Sequence, residues 1–329
     1  MNIDTQQAVI DDAHTSPEGR PVMRARFEHN GSPRYLLYTI KRLGLDHKHG
    51  FHLELELVSD ALEEGLETVE ARLQDGAADL IDIDYISTAR ERVDGAQIVG
   101  FHPYGRTVGG LVAHEGTDIE GLGDLSGHRI GVVRRLDKNW ILVRAACRKY
   151  HGFDPDRTAT PIEAESKVAL TELLQTGAVD AILQFWQIIP EITERGPYTE
   201  VFSVADVVQR LADTDEKIPV STFLTSEQFL ADRPDTVRGF VAAYREAVDR
   251  LRTEDRHWRI LGNRLIPYDD YAIVTAVRDR WRDMVVKDWG PETVLGMEQL
   301  FAYILDLAGP NALGVDRIPP ETFRTTLEP

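Results

Sequence analysis

Between Val133 and Trp140 the chain places Arg134, Arg135, Lys138 and Asn139 within six residues. A guanidinium fork matches a carboxylate, sulfonate or phosphate through two parallel hydrogen bonds. Before this run, Ile130, Val132 and Val133 follow Ser126-Gly127 and predict a short strand; after it, Trp140, Val143 and Cys147 recur at helical spacing. The six residues therefore span a strand's carboxyl end and a helix's amino end. Open α/β sheets hold ligands there, and free N–H groups and the helix dipole favour an anion. Adjacent strand residues point to opposite faces, so at most one of Arg134 and Arg135 is expected to face such a site. The alternative for both is a solvated turn paired to neighbouring acids.

Histidines are the other groups suited to chemistry near neutral pH. His29, in Glu28-His29-Asn30-Gly31-Ser32-Pro33, and His102, in His102-Pro103-Tyr104-Gly105-Arg106, could each act as acid or base if the protein were an enzyme. Asn30-Gly31 and Ser32-Pro33 are equally ordinary turn formers. His47, His49 and His52 fall at a helix end and a strand start, where solvation is expected, so no metal site is assigned. Cys147 is the only cysteine, which excludes an internal disulfide and a cysteine metal cluster. No Gly-x-Ser-x-Gly elbow, phosphate-cradling Gly-x-x-x-x-Gly-Lys loop or Gly-x-Gly-x-x-Gly fingerprint is present. No cofactor and no catalytic residue is assigned on this reading.

These groups need a scaffold, and the chain is long enough to supply one. Its 329 residues, 42% hydrophobic and 28% charged, suit two lobes better than one. A formal charge of −18 argues against nucleic acid and anionic membranes, which require a basic face. No run reaches membrane-spanning length, and the amino terminus lacks a signal-peptide pattern. The reading as written is cytoplasmic, with a periplasmic or extracellular setting if a leader has been removed.

Residues 1–21 read as a loose polar leader. Met23–Phe27 reads as a strand, Tyr35, Leu36, Ile40 and Leu43 as a helix face, and His52–Val58 as a strictly alternating strand. Leu62, Leu66, Val69 and Leu73 give an amphipathic helix ended by Gly76, and Ala78–Ile83 a strand. Ile98–Phe101 and Gly110–Ala113 are further strands. A second series follows: strand 129–133, helix 139–150, a short strand at Pro161-Ile162, helix 166–175, strand 179–183 and strand 198–204. Residues 218–224 read as an extended crossing back. Pro234–Arg252, Tyr268–Val286 and Pro291–Leu307 are predicted helices. Repeated strand–helix order implies right-handed crossovers and mostly parallel sheets flanked by helices, an α/β fold.

Five stretches, GLDHKHGFHLELELV, LQDGAADLID, GLGDLSGHRIGV, LLQTGAVDAIL and FLADRPDTVRGFVAAYREAV, occur in the order and spacing of a known family. Over roughly residues 22–255 the chain resembles the type II periplasmic-binding-protein fold. Within it, the chain is similar to the solute-binding proteins of nitrate, sulfonate and taurine importers and the related pyrimidine-synthase-like (NMT1/THI5-like) proteins. The resemblance implies two lobes, 22–114 with 218–329 and 115–217, hinged over a ligand cleft. Strand-end turns would line it: His29, Asn30, Ser32 and Arg34; Asp84 and Tyr85; His102, Tyr104 and Arg106; Arg134, Arg135 and Asn139; Trp186; and Ser221. The implied function is capture of a small anionic or aromatic molecule, linked to an ABC permease. The alternative is a cytoplasmic enzyme of the same fold, a decarboxylase, lyase or desulfinase using a cleft histidine. The pyrimidine-precursor synthases' cysteine-rich CCCFC-type motif is absent, as is the desulfinases' cysteine in the loop after the first strand, so neither chemistry carries over.

Overall fold

The computed structural model describes residues 19–59, 69–214, 216–266 and 270–327. Its strands are β1 (Val22–Glu28), β2 (His52–Val58), β3 (Ile81–Asp84), β4 (Ile98–Gly105), β5 (Gly110–His114), β6 (Arg129–Val132), β7 (Thr160–Glu163), β8 (Ala181–Gln184), β9 (Tyr198–Ser203) and β10 (Ser221–Ser226). Alternation set β2 as expected: Leu53, Leu55 and Leu57 are buried while Glu54 and Glu56 are exposed. The helices 139–150 and 166–175 appear as Lys138–His151 and Lys167–Gln175. Each begins on a side-chain cap. Asp137 accepts from Asn139 N at 2.9 Å, and Ser166 Oγ accepts from Ala169 N at 3.1 Å. Leu62, Leu66, Tyr268 and most of the leader lie outside the described residues.

The strands form two layers. In the first, β1 and β2 run parallel, and β10 lies antiparallel between β3 and β4. A parallel bridge between Ala25 and Leu80, with Arg26 N donating to Leu80 O at 3.0 Å, joins the two groups in the order β2-β1-β3-β10-β4. The second layer has the order β7-β6-β8-β5-β9, with β6 parallel to β7 and β8, and β5 antiparallel to β8 and β9. The two orders are equivalent. The antiparallel members β5 and β10 are the strands reached directly after a crossing from the other layer.

Around the first layer, Phe27, Phe223, Phe240, Tyr244, Trp258 and Trp281 share one core. Phe223 sits at its centre, with ring centroids 5.1 Å from Phe240 and 5.3 Å from Tyr244. Ile130, Val132, Trp140 and Leu183 share a second core. The carboxyl-terminal helices divide between the two. Pro234–Thr253, Asp255–Arg264 and Tyr271–Met284 contribute to the first core, whereas Met297, Leu300, Phe301 and Ile304 of Pro291–Ala308 pack in the second. Cys147 is fully buried there, and burial pushes its thiol up to about 12, keeping it protonated. Among the described residues no helix is long and apolar enough to cross a membrane.

Candidate functional site

A cleft of about 360 Å³ opens where the carboxyl ends of β1 and β3 face the turns after β6 and β8. From the first layer it is lined by Glu28, Ser32, Asp82, Asp84, Thr107 and Ser221; from the second, by Arg134, Asp137, Lys138, Lys167, Phe185 and Trp186. Strand periodicity puts Asp82 and Asp84 on one face of β3, with Ile81 and Ile83 turned into the core behind. Asp84 also caps the helix Tyr85–Val93, accepting from Ile86 N at 3.1 Å and from Ser87 N and Ser87 Oγ at 2.9 Å each. The Thr107 and Ser221 hydroxyls bond to each other beneath it. Across the cleft, Lys138 and Lys167 are first residues of their helices, and their ammonium groups lie 5.3 and 5.1 Å from the Phe185 ring centre.

The charges are divided by layer. First-layer lining groups include Glu28, Glu70, Asp82, Asp84 and Glu91 against Arg90 alone; the second layer supplies Arg134, Lys138 and Lys167 against Asp137. Asp84 and Asp82 titrate in opposite directions. Burial alone would raise Asp84, but Lys138, Arg90 and the bonds from Ser87 hold it below its ordinary value. Burial pushes Asp82 up to about 7, Glu28 adds to the rise, and Lys138 and Lys167 only partly offset it. The Asp82 carboxyl has no hydrogen-bond partner among the described residues, and neither Arg134 nor Lys138 is in an ion pair with one of them.

The side chains of Lys167, Gln187 and Arg90 reach across the cleft. Lys167, 5% exposed, donates from Nζ to Glu28 Oε2 at 2.5 Å and to Asn30 Oδ1 at 3.1 Å. Gln187 Nε2 donates to Asn30 O at 3.1 Å, and Arg90 Nη2 donates to Leu136 O at 2.8 Å. Lys167 and Gln187 also line a second cavity of about 760 Å³, with His29, Asn30, Arg34 and Tyr35 on its first-layer wall.

The expected site residues thus separate. Ser32, Asp84, Arg134, Trp186 and Ser221 line the cleft. His29, Asn30 and Arg34 line the neighbouring cavity, where Arg34 donates to His29 O and Tyr35 OH at 3.0 Å each. Arg135 turns away: with its side chain 48% exposed, it lies 3.3 Å from Asp156 and 3.5 Å from Glu163. Tyr85, His102, Tyr104, Arg106 and Asn139 sit behind the cleft surface. Tyr85 packs edge-on to Phe301, Tyr104 against Phe223, and Arg106 pairs with Asp283 at 2.5 Å. Asn139 Oδ1 accepts from Gly109 N at 2.9 Å. His102 packs against Tyr244, donates from Nδ1 to Pro103 O at 2.8 Å, and is pushed down to about 3 by burial, so it stays neutral. His52, expected to be solvated, is buried; its Nδ1 lies 3.1 Å from His47 Nε2, and both lie beside Asp46, with candidate ligand atoms within 4.8 Å of one another. None of these three lines the cleft.

Asp82, Lys167 and Gln187 escaped the sequence reading, whereas Lys138 belongs to the basic run it began from. Lys167 carried a usable signal, because Ser166 marks a helix start after a strand just as Asp137 does. Asp82 was legible as the polar phase of Ile81-Asp82-Ile83-Asp84.

No curated protein matches the chain significantly. Among solved structures, the alkanesulfonate-binding protein SsuA from Xanthomonas axonopodis pv. citri, bound to MOPS, is similar over 93% of this chain and 99% of its own, at 15% identity and a TM-score of 0.74. The periplasmic aliphatic sulphonate binding protein SsuA from Escherichia coli matches over 92% and 91%, at 15% identity and a TM-score of 0.70. The CA3427 product of Candida albicans, described as having the generic periplasmic binding protein fold, matches over 93% and 97%, at 14% identity and 0.62. These likenesses give the fold, a two-layered periplasmic-binding-protein-like α/β arrangement. Residues 48–254 match the family model described as NMT1/THI5 like, and the chain belongs to that family.

Proposed function

We propose that the protein is a solute-binding protein that captures a small organic molecule in the 360 Å³ cleft by closing two lobes over it. The lobes are residues 22–114 with 218–329, and 115–217, the helix Pro291–Ala308 of the first reaching over to pack on the second layer's core, and the capture serves ABC-type import. One observation carries the reading: Arg134 and Lys138 line the cleft beside a helix start with no carboxylate paired to either among the described residues. Two cations at a helix amino end favour an acid group on the ligand. Phe185 and Trp186 form a wall for its apolar part. The alkanesulfonate and sulphonate binding of the SsuA proteins supports the same class of ligand, and the periplasmic setting of the Escherichia coli protein supports an extracytoplasmic one here. The enzyme alternative draws on no specific observation, since His102 is walled off behind Tyr244 and His29 lines the neighbouring cavity.

The test is calorimetry with propanesulfonate and para-toluate. Capture predicts saturable binding that Arg134→Ala weakens by roughly ten- to a hundredfold, the worth of a charge-assisted hydrogen bond. Binding that survives both Arg134→Ala and Lys138→Met unchanged refutes the assignment of the acid group to this turn.

A further inference from the structure

The cleft presents two unlike walls. On the second-layer wall Arg134 and Lys138 have no paired carboxylate among the described residues, while Lys167 is engaged with Glu28 and Asn30. On the first-layer wall Asp84 is consumed by its helix cap, whereas Asp82 faces the cleft without a hydrogen-bond partner among the described residues. Trp186 supplies an independent sign of a missing partner. Its residue is 4% exposed, it lines the same cleft, and its indole Nε1–H meets no acceptor among the described residues. A buried donor and a lone carboxyl in one cavity are each costly unless something within it completes them.

We propose that the cleft takes an amphoteric ligand, whose cationic nitrogen is held by Asp82 on one wall and whose acid group is held by Arg134 and Lys138 on the other. The inference rests on the solute-binding reading and narrows it. A purely anionic ligand would meet the two cations but would also bring negative charge to Asp82 and Glu28. A purely cationic one would meet Asp82 but face Arg134 and Lys138. A molecule carrying both charges satisfies both walls and spans the closed cleft, so it is favoured over either half by an interaction at each end.

The carboxyl's own titration provides a readout that needs no variant. The charged groups acting on Asp82 are Glu28 from β1, Glu70 from the helix Val69–Gln74, and Lys138 and Lys167 from across the cleft; the residue opposite it on β10 is the uncharged Phe223. Burial and Glu28 leave it titrating at about 7. A ligand ammonium requires the ionised form, so its binding tightens as pH rises through that value. A ligand anion is repelled by the same form, so its binding weakens.

The experiment is calorimetry on the full chain with two matched sets. One is homotaurine, propanesulfonate and propylamine; the other is para-aminomethylbenzoate, para-toluate and para-methylbenzylamine. In at least one set the amphoteric member is expected to bind roughly ten- to a hundredfold more tightly than either single-charge member. Its affinity should rise between about pH 6 and pH 8 while that of the anion falls. Asp82→Asn should abolish that preference and that pH dependence while leaving the anion's affinity at the higher pH equal or improved. Anions that bind as tightly as their amphoteric partners, with the same pH profile, overturn the proposal and leave cleft capture standing. Failure of every probe to bind at millimolar concentration overturns both.

Discussion

Lys167 provides the sharpest test of the proposed closure of the cleft. Its ammonium is 6% exposed and bridges Glu28 Oε2 at 2.5 Å and Asn30 Oδ1 at 3.1 Å, while its helix belongs to the opposite layer. Lys167→Met keeps the length and apolar stem of the side chain and removes the charge. A hydrogen bond to a charged group contributes about 1.5–3 kcal/mol, and Glu28 is partly solvated, so about 2 kcal/mol is a fair value for the bridge. If that energy belongs to the closed form alone, the closed-to-open ratio falls about 30-fold. Small-angle X-ray scattering of ligand-free protein reads this directly as a larger radius of gyration, and circular dichroism checks that the fold persists. Glu28→Gln should produce the same shift, and the double variant should add little to either, because both changes break one interaction. Scattering profiles of both variants superimposable on the unmodified protein would refute the argument that this bridge sets closure.

Asp82→Asn should stabilise the protein in a pH-dependent way. The folded value of about 7 stands above the ordinary 3.8, so the carboxyl costs nothing below the unfolded value, and its cost grows until pH passes about 7. The full rise corresponds to about 4 kcal/mol; cleft water reaching this partly exposed group reduces that to about 2, visible in urea melts near pH 8 and absent near pH 4. Asp154 has the opposite sign. Burial alone would raise it, but Arg144 at 3.0 Å and Arg148 at 2.5 Å hold it well below the usual carboxylate range, so its contribution is present at neutral pH and lost in acid. Asp154→Asn should cost about 3 kcal/mol at neutral pH and flatten the acid limb of the stability curve. Gly109→Ala should lower stability by at least about 3 kcal/mol or abolish folding, since the added Cβ would stand 1.7 Å from Gln184 O. Gly121→Ala is the control, with nothing within 4 Å of its Cβ and an extended φ of −177°.

Much of the fold was legible because local pattern and burial agree. Leu53, Leu55 and Leu57 fix the phase of β2, and Asp137 and Ser166 start their helices where the apolar spacing begins. Local geometry also separates Arg134, which lines the cleft, from Arg135, which joins Asp156 and Glu163. What a sequence does not encode locally is which wall a group backs onto. His102 looks like a turn histidine, yet β10 and Tyr244 cover it; Tyr85 and Tyr104 look like cleft aromatics but meet Phe301 and Phe223. The apolar stripe of Pro291–Ala308 likewise reveals its period without naming Trp140 and its neighbours as the surface it covers. Lys167 meets Glu28 and Asn30 only after two layers have come together.

The placement of β5 and β10 also dictates the order in which the chain can be completed. The second layer draws all five strands from one contiguous stretch, Gly110 to Ser203, so its sheet can pair as soon as that stretch has been synthesised, and the helix Pro291–Ala308 covers its core later. The first layer cannot. β3 and β4 do not pair with each other; β10 lies between them and arrives only after the whole second layer has been made. Until then two strands hold open a gap lined by unpaired backbone, a state prone to capture by other strands. A nascent chain stalled short of Ser221 should therefore carry a paired second-layer sheet, its core not yet covered by Pro291–Ala308, and an incomplete first one. The late strand that brings Phe223 to the aromatic centre is the step that commits the molecule to its final form.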